Sequence, residues 1–145
     1  MSDTTPSSAL SGVMVEGIKV AIVDDDLRIR ELLALELNDL GCSATVFSSA
    51  EALLEDPQSQ LFNLVLLDLT MPGLDGFEAL KRLRAKGHQG WIVVMSSIWS
   101  LGRWQQLIAC GAKDYIVKTS LIEQLPELVA ALKPFAGKAQ QLKSA

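Results

Sequence analysis

Four short apolar runs, interrupted only by Lys19 in the first, constrain the fold of this chain more than any other feature of its sequence. Each run ends at a polar residue, and the runs lie at 18–23, 64–67, 91–95 and 115–117. Strands that are covered on both faces show continuous apolarity, whereas strands with one solvated face alternate between apolar and polar residues. The runs therefore predict the inner strands of a parallel sheet. A weaker, more alternating run at 43–47 predicts a fifth strand.

The segments between these runs have the spacing of amphipathic helices. One face of the first segment is apolar, at Ile29, Leu33, Leu37 and Leu40. Gly41 follows as a stop signal. Asp75 and Glu78 have the spacing of a capping box at the start of a later helix. Five repeats of strand and helix predict a doubly wound α/β fold, with a five-stranded parallel sheet and helices on both faces.

The last predicted helix contains a proline. Ser120 and Glu123 repeat the capping-box spacing, but Pro126 follows six residues after Ser120. A proline at an interior position removes a backbone hydrogen bond and kinks the helix. We therefore expect an irregular start and a regular helix over 126–135.

Composition and length predict one folded domain. The chain has 145 residues, of which 49% are apolar and 21% are charged, and these values argue against intrinsic disorder. We expect a flexible extension at 1–17, the domain at 18–135 and a polar tail at 136–145. The net charge of −4, without a basic block, argues against nucleic-acid binding. No apolar run approaches the roughly 18 residues of a membrane helix, and no secretory signal is apparent.

The cysteines and the single histidine carry no predicted chemistry. Cys42 and Cys110 form no closely spaced metal-binding pair, and a reduced, cytoplasmic setting is the simplest interpretation. His88 lies in a glycine-flanked segment, where we expect it to be solvated.

Polar side chains follow four of the predicted strands. They are Asp24, Asp25 and Asp26 after the first, Asp68 after the third, Ser96 and Ser97 after the fourth, and Lys118 after the fifth. The carboxyl ends of the strands form the ligand site in such sheets. Clustered carboxylates repel one another, and Mg²⁺ relieves that repulsion. Lys118 could then hold a phosphoryl oxygen and Ser96 could donate a hydrogen bond, which makes Asp68 a candidate nucleophile.

Four stretches in this order resemble the receiver domain of bacterial two-component response regulators. They are VDDD at 23–26, LDLTMPGLDG at 67–76, MSS at 95–97 and YIVK at 115–118. The resemblance extends over about residues 18–132. It implies a flavodoxin-like sheet with strand order 2-1-3-4-5.

The resemblance also implies a phosphorylation site that uses Mg²⁺. Asp68 would accept a phosphoryl group from the phosphohistidine of a sensor histidine kinase or a phosphotransfer protein. Asp25 would bind Mg²⁺ directly and Asp24 through water. Asp68 itself and the backbone carbonyl of Thr70 would complete the protein ligands, and Lys118 would hold a phosphoryl oxygen.

The same resemblance implies a switch. Ser96 would move toward the arriving phosphoryl group, and Tyr115 would change rotamer into the space that Ser96 leaves. The charge of the phosphoryl group would in this way alter a protein-binding surface.

The sequence departs from the family pattern at two places. Thr119 follows Lys118, where the family usually has a proline after a cis bond. A cis bond without proline costs about 2.5–4 kcal/mol, so we expect a trans bond and a different loop. Thr70 and Ile98 flank the pocket, and the apolar Ile98 would hinder an attacking water and lengthen the life of the phosphate.

Aromatic residues mark a candidate partner surface. In this family the fourth helix, fifth strand and fifth helix form the usual output face, so Trp99, Trp104 and Tyr115 are candidate partner contacts. We expect a buried stripe on the fourth helix at Leu101, Ile108 and Ala112. Trp104 would flank this stripe and Trp99 would lie opposite it. Local packing is the competing interpretation for both tryptophans.

Several alternatives stay open. The leading hypothesis is a stand-alone receiver that acts on a downstream protein or forms a phosphorylation-dependent homodimer; a fragment of a larger regulator or hybrid kinase is the variant of this hypothesis. Asp24 and Asp26 also have the spacing of a Mg²⁺-dependent aspartyl-phosphate phosphatase of the haloacid dehalogenase type, although Asp26 is equally a candidate helix N-cap. A flavodoxin-like nucleotide binder is disfavoured because three aspartates would repel its phosphate. A non-signalling pseudo-receiver is disfavoured because all the phosphorylation residues are present.

Overall fold

A five-stranded parallel sheet forms the centre of the protein. The computed structural model describes residues 17–135. The strands are β1 (Lys19–Val23), β2 (Ser43–Phe47), β3 (Leu64–Asp68), β4 (Trp91–Ser96) and β5 (Asp114–Val117). Their order is β2-β1-β3-β4-β5, and each pairing is parallel, which confirms the predicted topology. The predicted extension, apart from Gly17, and the predicted tail lie outside the described residues.

Helices cover both faces of this sheet. They are α1 (Leu27–Asp39), α2 (Ala50–Glu55), α3 (Gly76–Ala85), α4 (Leu101–Ala109) and α5 (Lys118–Leu132), with short 3₁₀ turns at Ser59–Leu61 and Lys133–Phe135. None of these described helices is long and apolar enough to cross a membrane.

The apolar strands divide their side chains between two cores. In β1, Val20 and Ile22 pack in the core that contains α1 and α5. Ala21 and Val23 pack in the core that contains α2, α3 and α4. All four are fully buried, which explains why β1 reads as a continuous apolar run rather than an alternating one. The edge strand β2 is more exposed, in keeping with its weaker pattern.

Side-chain caps set where four of the helices begin. Asp26 Oδ1 accepts a hydrogen bond from the Arg28 N–H at 2.9 Å and begins α1. Asp75 Oδ1 accepts one from the Glu78 N–H at 2.9 Å and begins α3, as the capping box predicts. The remaining two capping residues are Ser49 for α2 and Ser100 for α4.

The predicted irregular start of the last helix is wrong. Helix α5 begins at Lys118, directly after β5, and continues through Pro126. Ser120 lies within its first turn and is not the cap. Four residues on one face, Leu121, Leu125, Val129 and Leu132, are buried on both sides of the proline. Burying each side chain of this size contributes about 1.5–3 kcal/mol, which together exceeds the roughly 3 kcal/mol that an interior proline costs.

Helix α4 begins later than the sequence suggests. Because Ser100 caps the helix by accepting a hydrogen bond from the Arg103 N–H at 3.3 Å, Trp99 lies in the loop before it. Of the predicted buried stripe, Leu101 is 57% exposed, Ile108 is partly buried, and Ala112 is buried but lies beyond the end of the helix. Leu107, which was not predicted, is the fully buried residue of this helix.

His88 is buried and not solvated, contrary to the prediction. It is only 3% exposed. The neighbouring Arg84 guanidinium donates hydrogen bonds to the carbonyls of His88, Gly90 and Gly111 at 2.7–3.0 Å, and these bonds draw the loop against the core. Burial, together with the Arg84 charge, lowers the pKa of His88 to about 4.

Candidate functional site

The carboxyl ends of the inner strands bring the predicted site residues together. Asp24 follows β1, Asp68 ends β3, Ser96 ends β4 and Lys118 follows β5. These strands are consecutive in the sheet. Their polar residues line one cleft of about 380 Å³, which Asp25 and Thr70 also border.

Lys118 lies between two buried carboxylates. Its Nζ is 2.8 Å from Asp24 Oδ2 and 3.3 Å from Asp68 Oδ2. Asp24 is fully buried and Asp68 is 3% exposed. Removing carboxylates from water is costly unless a cation or hydrogen-bond donors compensate them. In this conformation the Lys118 ammonium supplies that compensation to both.

Burial perturbs the ionisation of this pair. It raises the pKa of Asp68 to about 6, and the charge of Asp24 acts in the same direction, while Lys118 opposes the shift. Burial by itself lowers the pKa of Lys118. Its hydrogen bonds to Asp24 and Asp68 and their charges outweigh this effect and raise that pKa above its ordinary value. Lys118 is therefore cationic at neutral pH, and most Asp68 is ionised.

The loop after β3 holds Asp68 through backbone contacts. The Thr70 N–H donates to Asp68 Oδ1 at 3.2 Å, and the Leu69 N–H donates to the Met95 carbonyl at 2.8 Å. Gly76, the first residue of α3, allows this helix to approach the end of β3. A Cβ at Gly76 would lie 2.4 Å from the Asp68 carbonyl oxygen and 2.7 Å from Leu69 Cα. Glycine is required here because of this close approach.

Three carboxylates at the site suit a hard divalent cation. Asp24, Asp25 and Asp68 each offer an oxygen, and these oxygens lie within 4.8 Å of one another. Two oxygens on one Mg²⁺ are at most about 4.2 Å apart, so a small adjustment would bring this set to the geometry that Mg²⁺ demands. The residues fit such an ion, and Asp25, which is exposed, leaves the site open to water.

Ser96 and Tyr115 both form side-chain hydrogen bonds with the backbone of Ile98. The Ile98 N–H donates to Ser96 Oγ at 3.3 Å, and the Tyr115 hydroxyl donates to the Ile98 carbonyl at 2.6 Å. Trp99 stacks on the Tyr115 ring, with centroids 6.1 Å apart, and its Nε1–H donates to the Tyr115 carbonyl at 3.0 Å. A displacement of Ile98 would therefore act on the serine and the tyrosine together.

Comparison with known proteins places this chain in a family. The sequence-family model of the response regulator receiver domain matches residues 20–130. The chain belongs to this family. The transcriptional regulatory protein CiaR of Streptococcus pneumoniae is 35% identical over 121 residues, which cover 83% of this chain and 54% of that protein. The receiver domain thus spans about half the length of the curated relatives it matches.

Solved receiver domains have the same fold. That of the Francisella response regulator 1452 superposes with a TM-score of 0.73 at 26% identity, covering 79% of this chain and 95% of that one. The beryllofluoride-activated N-terminal receiver domain of Klebsiella pneumoniae RstA gives 0.68 at 29% identity, covering 83% and 98%. The chain is therefore a signalling receiver of the two-component class, as its motifs indicate.

The structure changes the predicted partner surface of this receiver. The Tyr115 side chain is not available to a partner in this conformation, because Tyr115 is 2% exposed and lies beneath Trp99. Trp104 is half-buried and packs against the core that contains α4. Trp99 is 43% exposed even though one of its faces covers Tyr115. It is the most accessible of the three aromatic residues.

The geometry does not favour the phosphatase alternative. That chemistry would use Asp24 as nucleophile and Asp26 as the acid or base. Asp24 is instead fully buried against Lys118. Asp26 caps α1, and the charge-assisted hydrogen bond from the Arg28 side chain lowers its pKa.

One residue of the cleft was not predicted from the sequence. Arg103, in the first turn of α4, lines the same cleft as Asp68 and Lys118. It belongs to none of the motifs, and its position at the cleft depends on how α4 packs. The only sequence signal is a basic residue at the start of a helix, where cations are disfavoured.

The peptide bond after Lys118 is trans, as expected from Thr119, since the described residues contain no cis peptide bond. In place of a separate loop, α5 begins at Lys118 itself.

Proposed function

We propose that Asp68 is the phosphoryl acceptor of this receiver domain. The observation that carries the proposal is the contact of one lysine ammonium with two buried carboxylates, Asp24 and Asp68, at the floor of an open cleft. Asp24, Asp25, Asp68 and the carbonyl of Thr70 would hold Mg²⁺. When bound, this ion offsets the negative charge of the phosphoryl oxygens.

The reaction is a transfer between two side chains. A carboxylate oxygen of Asp68 forms a bond to the phosphorus of a phosphohistidine on the donor protein. The bond between phosphorus and the imidazole nitrogen breaks, and its electron pair stays on the nitrogen. Lys118 then binds a phosphoryl oxygen, because the acyl phosphate no longer presents the Asp68 carboxylate charge to it.

The conformational effect of phosphorylation would reach the partner surface through Ile98. Ser96 Oγ accepts from the Ile98 N–H, which leaves its own hydroxyl free to donate to a phosphoryl oxygen. Movement of Ser96 toward that oxygen would pull Ile98, and the Tyr115 hydroxyl is bonded to the Ile98 carbonyl. Trp99, stacked on Tyr115, would carry the change to the surface.

The partners follow from this chemistry. A sensor histidine kinase or a phosphotransfer protein donates the phosphoryl group, and a downstream protein, or a second phosphorylated copy, reads the altered surface around Trp99. The domain catalyses only its own phosphorylation and dephosphorylation. The cytoplasmic location and the long phosphate lifetime suggested by Ile98 remain parts of this proposal.

Intact mass spectrometry tests the acceptor directly. After incubation with acetyl phosphate and Mg²⁺, the wild-type chain should gain one phosphoryl group and Asp68→Asn should gain none. Asp26→Asn is the matched control: it removes another carboxylate that borders the cleft, keeps a residue that caps helices well, and should be phosphorylated like wild type.

A second measurement covers rapid hydrolysis of the acyl phosphate. Beryllofluoride mimics the phosphoryl group and should change the tryptophan fluorescence, because Trp99 contacts the switch residue Tyr115. The change should require Mg²⁺, which the proposed site binds together with the phosphoryl group. A folded wild-type chain that shows neither an adduct nor this response would refute the proposed function. A phosphoryl group retained by Asp68→Asn would move the acceptor to another residue.

A further inference from the structure

Arg103 is placed where it adds nothing to the stability of its helix. It lies in the first turn of α4, whose first turn contains no acidic residue. The partial positive charge of a helix N-terminus disfavours a cation there by a few tenths of a kcal/mol or more. Arg103 is also exposed and forms no ion pair with any carboxylate among residues 17–135. Its charge therefore has no structural partner in the part of the chain that the structure describes.

Arg103 borders two clefts. One is the cleft that contains Asp68, Ser96 and Lys118. The other has a volume of about 410 Å³ and is lined by the loop after β3, by Phe77 of α3 and by helix α4. The side chain is exposed and contributes to the lining of both clefts.

Phosphorylation leaves the first cleft with an excess of negative charge. The phosphoryl group carries nearly two negative charges, and Asp24 and Asp25 add one each. Mg²⁺ and Lys118 together supply three positive charges. Asp26 also borders the cleft, but Arg28 pairs with it. One negative charge therefore remains uncompensated, and Arg103 is the remaining cation among the residues that line the cleft.

We propose that Arg103 binds an oxygen of the phosphoryl group on Asp68 and thereby couples the N-terminus of α4 to phosphorylation. This inference rests on the proposed function of Asp68. The planar guanidinium presents several N–H donors in a geometry that suits phosphoryl oxygens. Arg103 is thus a phosphoryl-binding residue contributed by α4, in addition to Lys118 from the opposite side of the cleft.

The connection of Arg103 to the surface is short. The backbone N–H of Arg103 donates a hydrogen bond to Ser100 Oγ, and Ser100 directly follows Trp99. A pull on the Arg103 side chain acts on the first turn of α4 and on the loop that places Trp99 over Tyr115. This second route to the surface runs through a charged side chain and is separate from the route through Ser96 and Ile98.

The affinity for beryllofluoride in saturating Mg²⁺ tests the inference. It can be followed by the increase in thermal midpoint as the ligand concentration rises. Arg103→Gln should weaken this affinity about tenfold, the lower end for a charge-assisted hydrogen bond because the side chain is exposed. Arg103→Lys should lose less because it keeps the charge. Arg82→Gln is the matched control, since Arg82 is exposed on α3, borders a different cleft and is paired with Glu78.

The outcomes separate this inference from the proposed function. Wild-type affinity in Arg103→Gln, or equal losses in Arg103→Gln, Arg103→Lys and Arg82→Gln, would overturn the role of Arg103 and leave Asp68 as the acceptor. Failure of the wild type to respond to beryllofluoride or to gain a phosphoryl group would overturn both. The thermal midpoints without ligand should be no lower in the Arg103 variants than in wild type, because Arg103 has no structural partner in the described residues and its charge is disfavoured at the helix N-terminus.

Discussion

Replacing Asp68 with asparagine should stabilise the metal-free fold. Asp68 is buried beside Asp24, and Lys118 compensates only part of the cost of ionising it. Asparagine has nearly the same shape, carries no charge, and its side-chain oxygen can still accept the hydrogen bond from the Thr70 N–H. The substitution would remove function and increase stability, as expected where a site is built for chemistry at the expense of stability.

The size of the effect follows from the pKa of Asp68. That value is about 6 in the folded chain, against an ordinary value of 3.8. Each unit corresponds to about 1.4 kcal/mol, so ionised Asp68 lowers the unfolding free energy by up to about 3 kcal/mol. That pKa already includes the attraction of Lys118. An asparagine that keeps the Thr70 hydrogen bond would turn its amide nitrogen toward Lys118 Nζ, so we expect Asp68→Asn to raise the unfolding free energy by between about 1 and 3 kcal/mol at pH 7.5.

The pH dependence has a definite sign. Folding raises the pKa of this acid, so the folded chain binds more protons than the unfolded chain between about pH 4 and pH 6. The unfolding free energy of the wild type therefore decreases as the pH rises through that window and Asp68 ionises in the folded chain. The advantage of Asp68→Asn should be near zero at pH 4, grow up to about pH 6 and stay constant above it. His88 contributes equally to both proteins and cancels in the difference.

Urea denaturation in EDTA, followed by circular dichroism at several pH values, measures this difference. Asp39→Asn is the control, because it removes an exposed carboxylate at the end of α1 and should change stability by less than about 0.5 kcal/mol. Added Mg²⁺ should stabilise wild type more than Asp68→Asn and narrow the gap. Asp68→Asn that is no more stable than wild type at pH 7.5, or an advantage that is independent of pH, would refute the reasoning.

Three further predictions concern other parts of the structure. Gly76→Ala should lower the unfolding free energy by more than about 2 kcal/mol because its Cβ would overlap the backbone of β3, whereas Gly102→Ala, with open space around it, should raise it by about 0.5–1 kcal/mol; equal denaturation midpoints would contradict the close approach at Gly76. His88→Phe should flatten the loss of stability between about pH 6.5 and pH 4, because folding lowers the pKa of His88 and protonation then favours the unfolded chain; an unchanged pH profile would show that His88 is not buried in solution. Tyr115→Phe should cost about 1 kcal/mol in urea denaturation through loss of the hydrogen bond to the Ile98 carbonyl, and a neutral result would mean that the hydroxyl faces water.

Local patterns were sufficient to predict a doubly wound parallel sheet and the acidic residues at its edge, whereas the strand order followed from the resemblance to receiver domains. Continuous apolarity over residues 20–23 of β1 reflects burial on both faces, because all four of these side chains are enclosed. Asp75 and Glu78 predict the start of α3 because the capping hydrogen bond joins residues only three positions apart in the sequence. Asp68 and Lys118 could be assigned to one edge because the carboxyl ends of parallel strands always meet there.

Only the tertiary structure decided how these residues interact. The contact of Lys118 with two carboxylates depends on strands that are distant in sequence, and so does the pKa of Asp68. The burial of His88 depends on hydrogen bonds that Arg84 donates across a loop and to the end of α4.

Packing also overrode two local signals. Pro126 predicts a break, but the apolar face of α5 lies against the sheet on both sides of it, and burial outweighs the missing hydrogen bond. The apolar spacing is compatible with a helix that includes Trp99, but Ser100 caps the N-terminus of α4. Trp99 therefore lies before the helix, with its indole stacked on Tyr115. The sequence alone thus determined which strands and helices form and which polar residues meet at the sheet edge. The distances, ionisation and exposure of those residues arise from contacts between elements, which sequence periodicity does not encode.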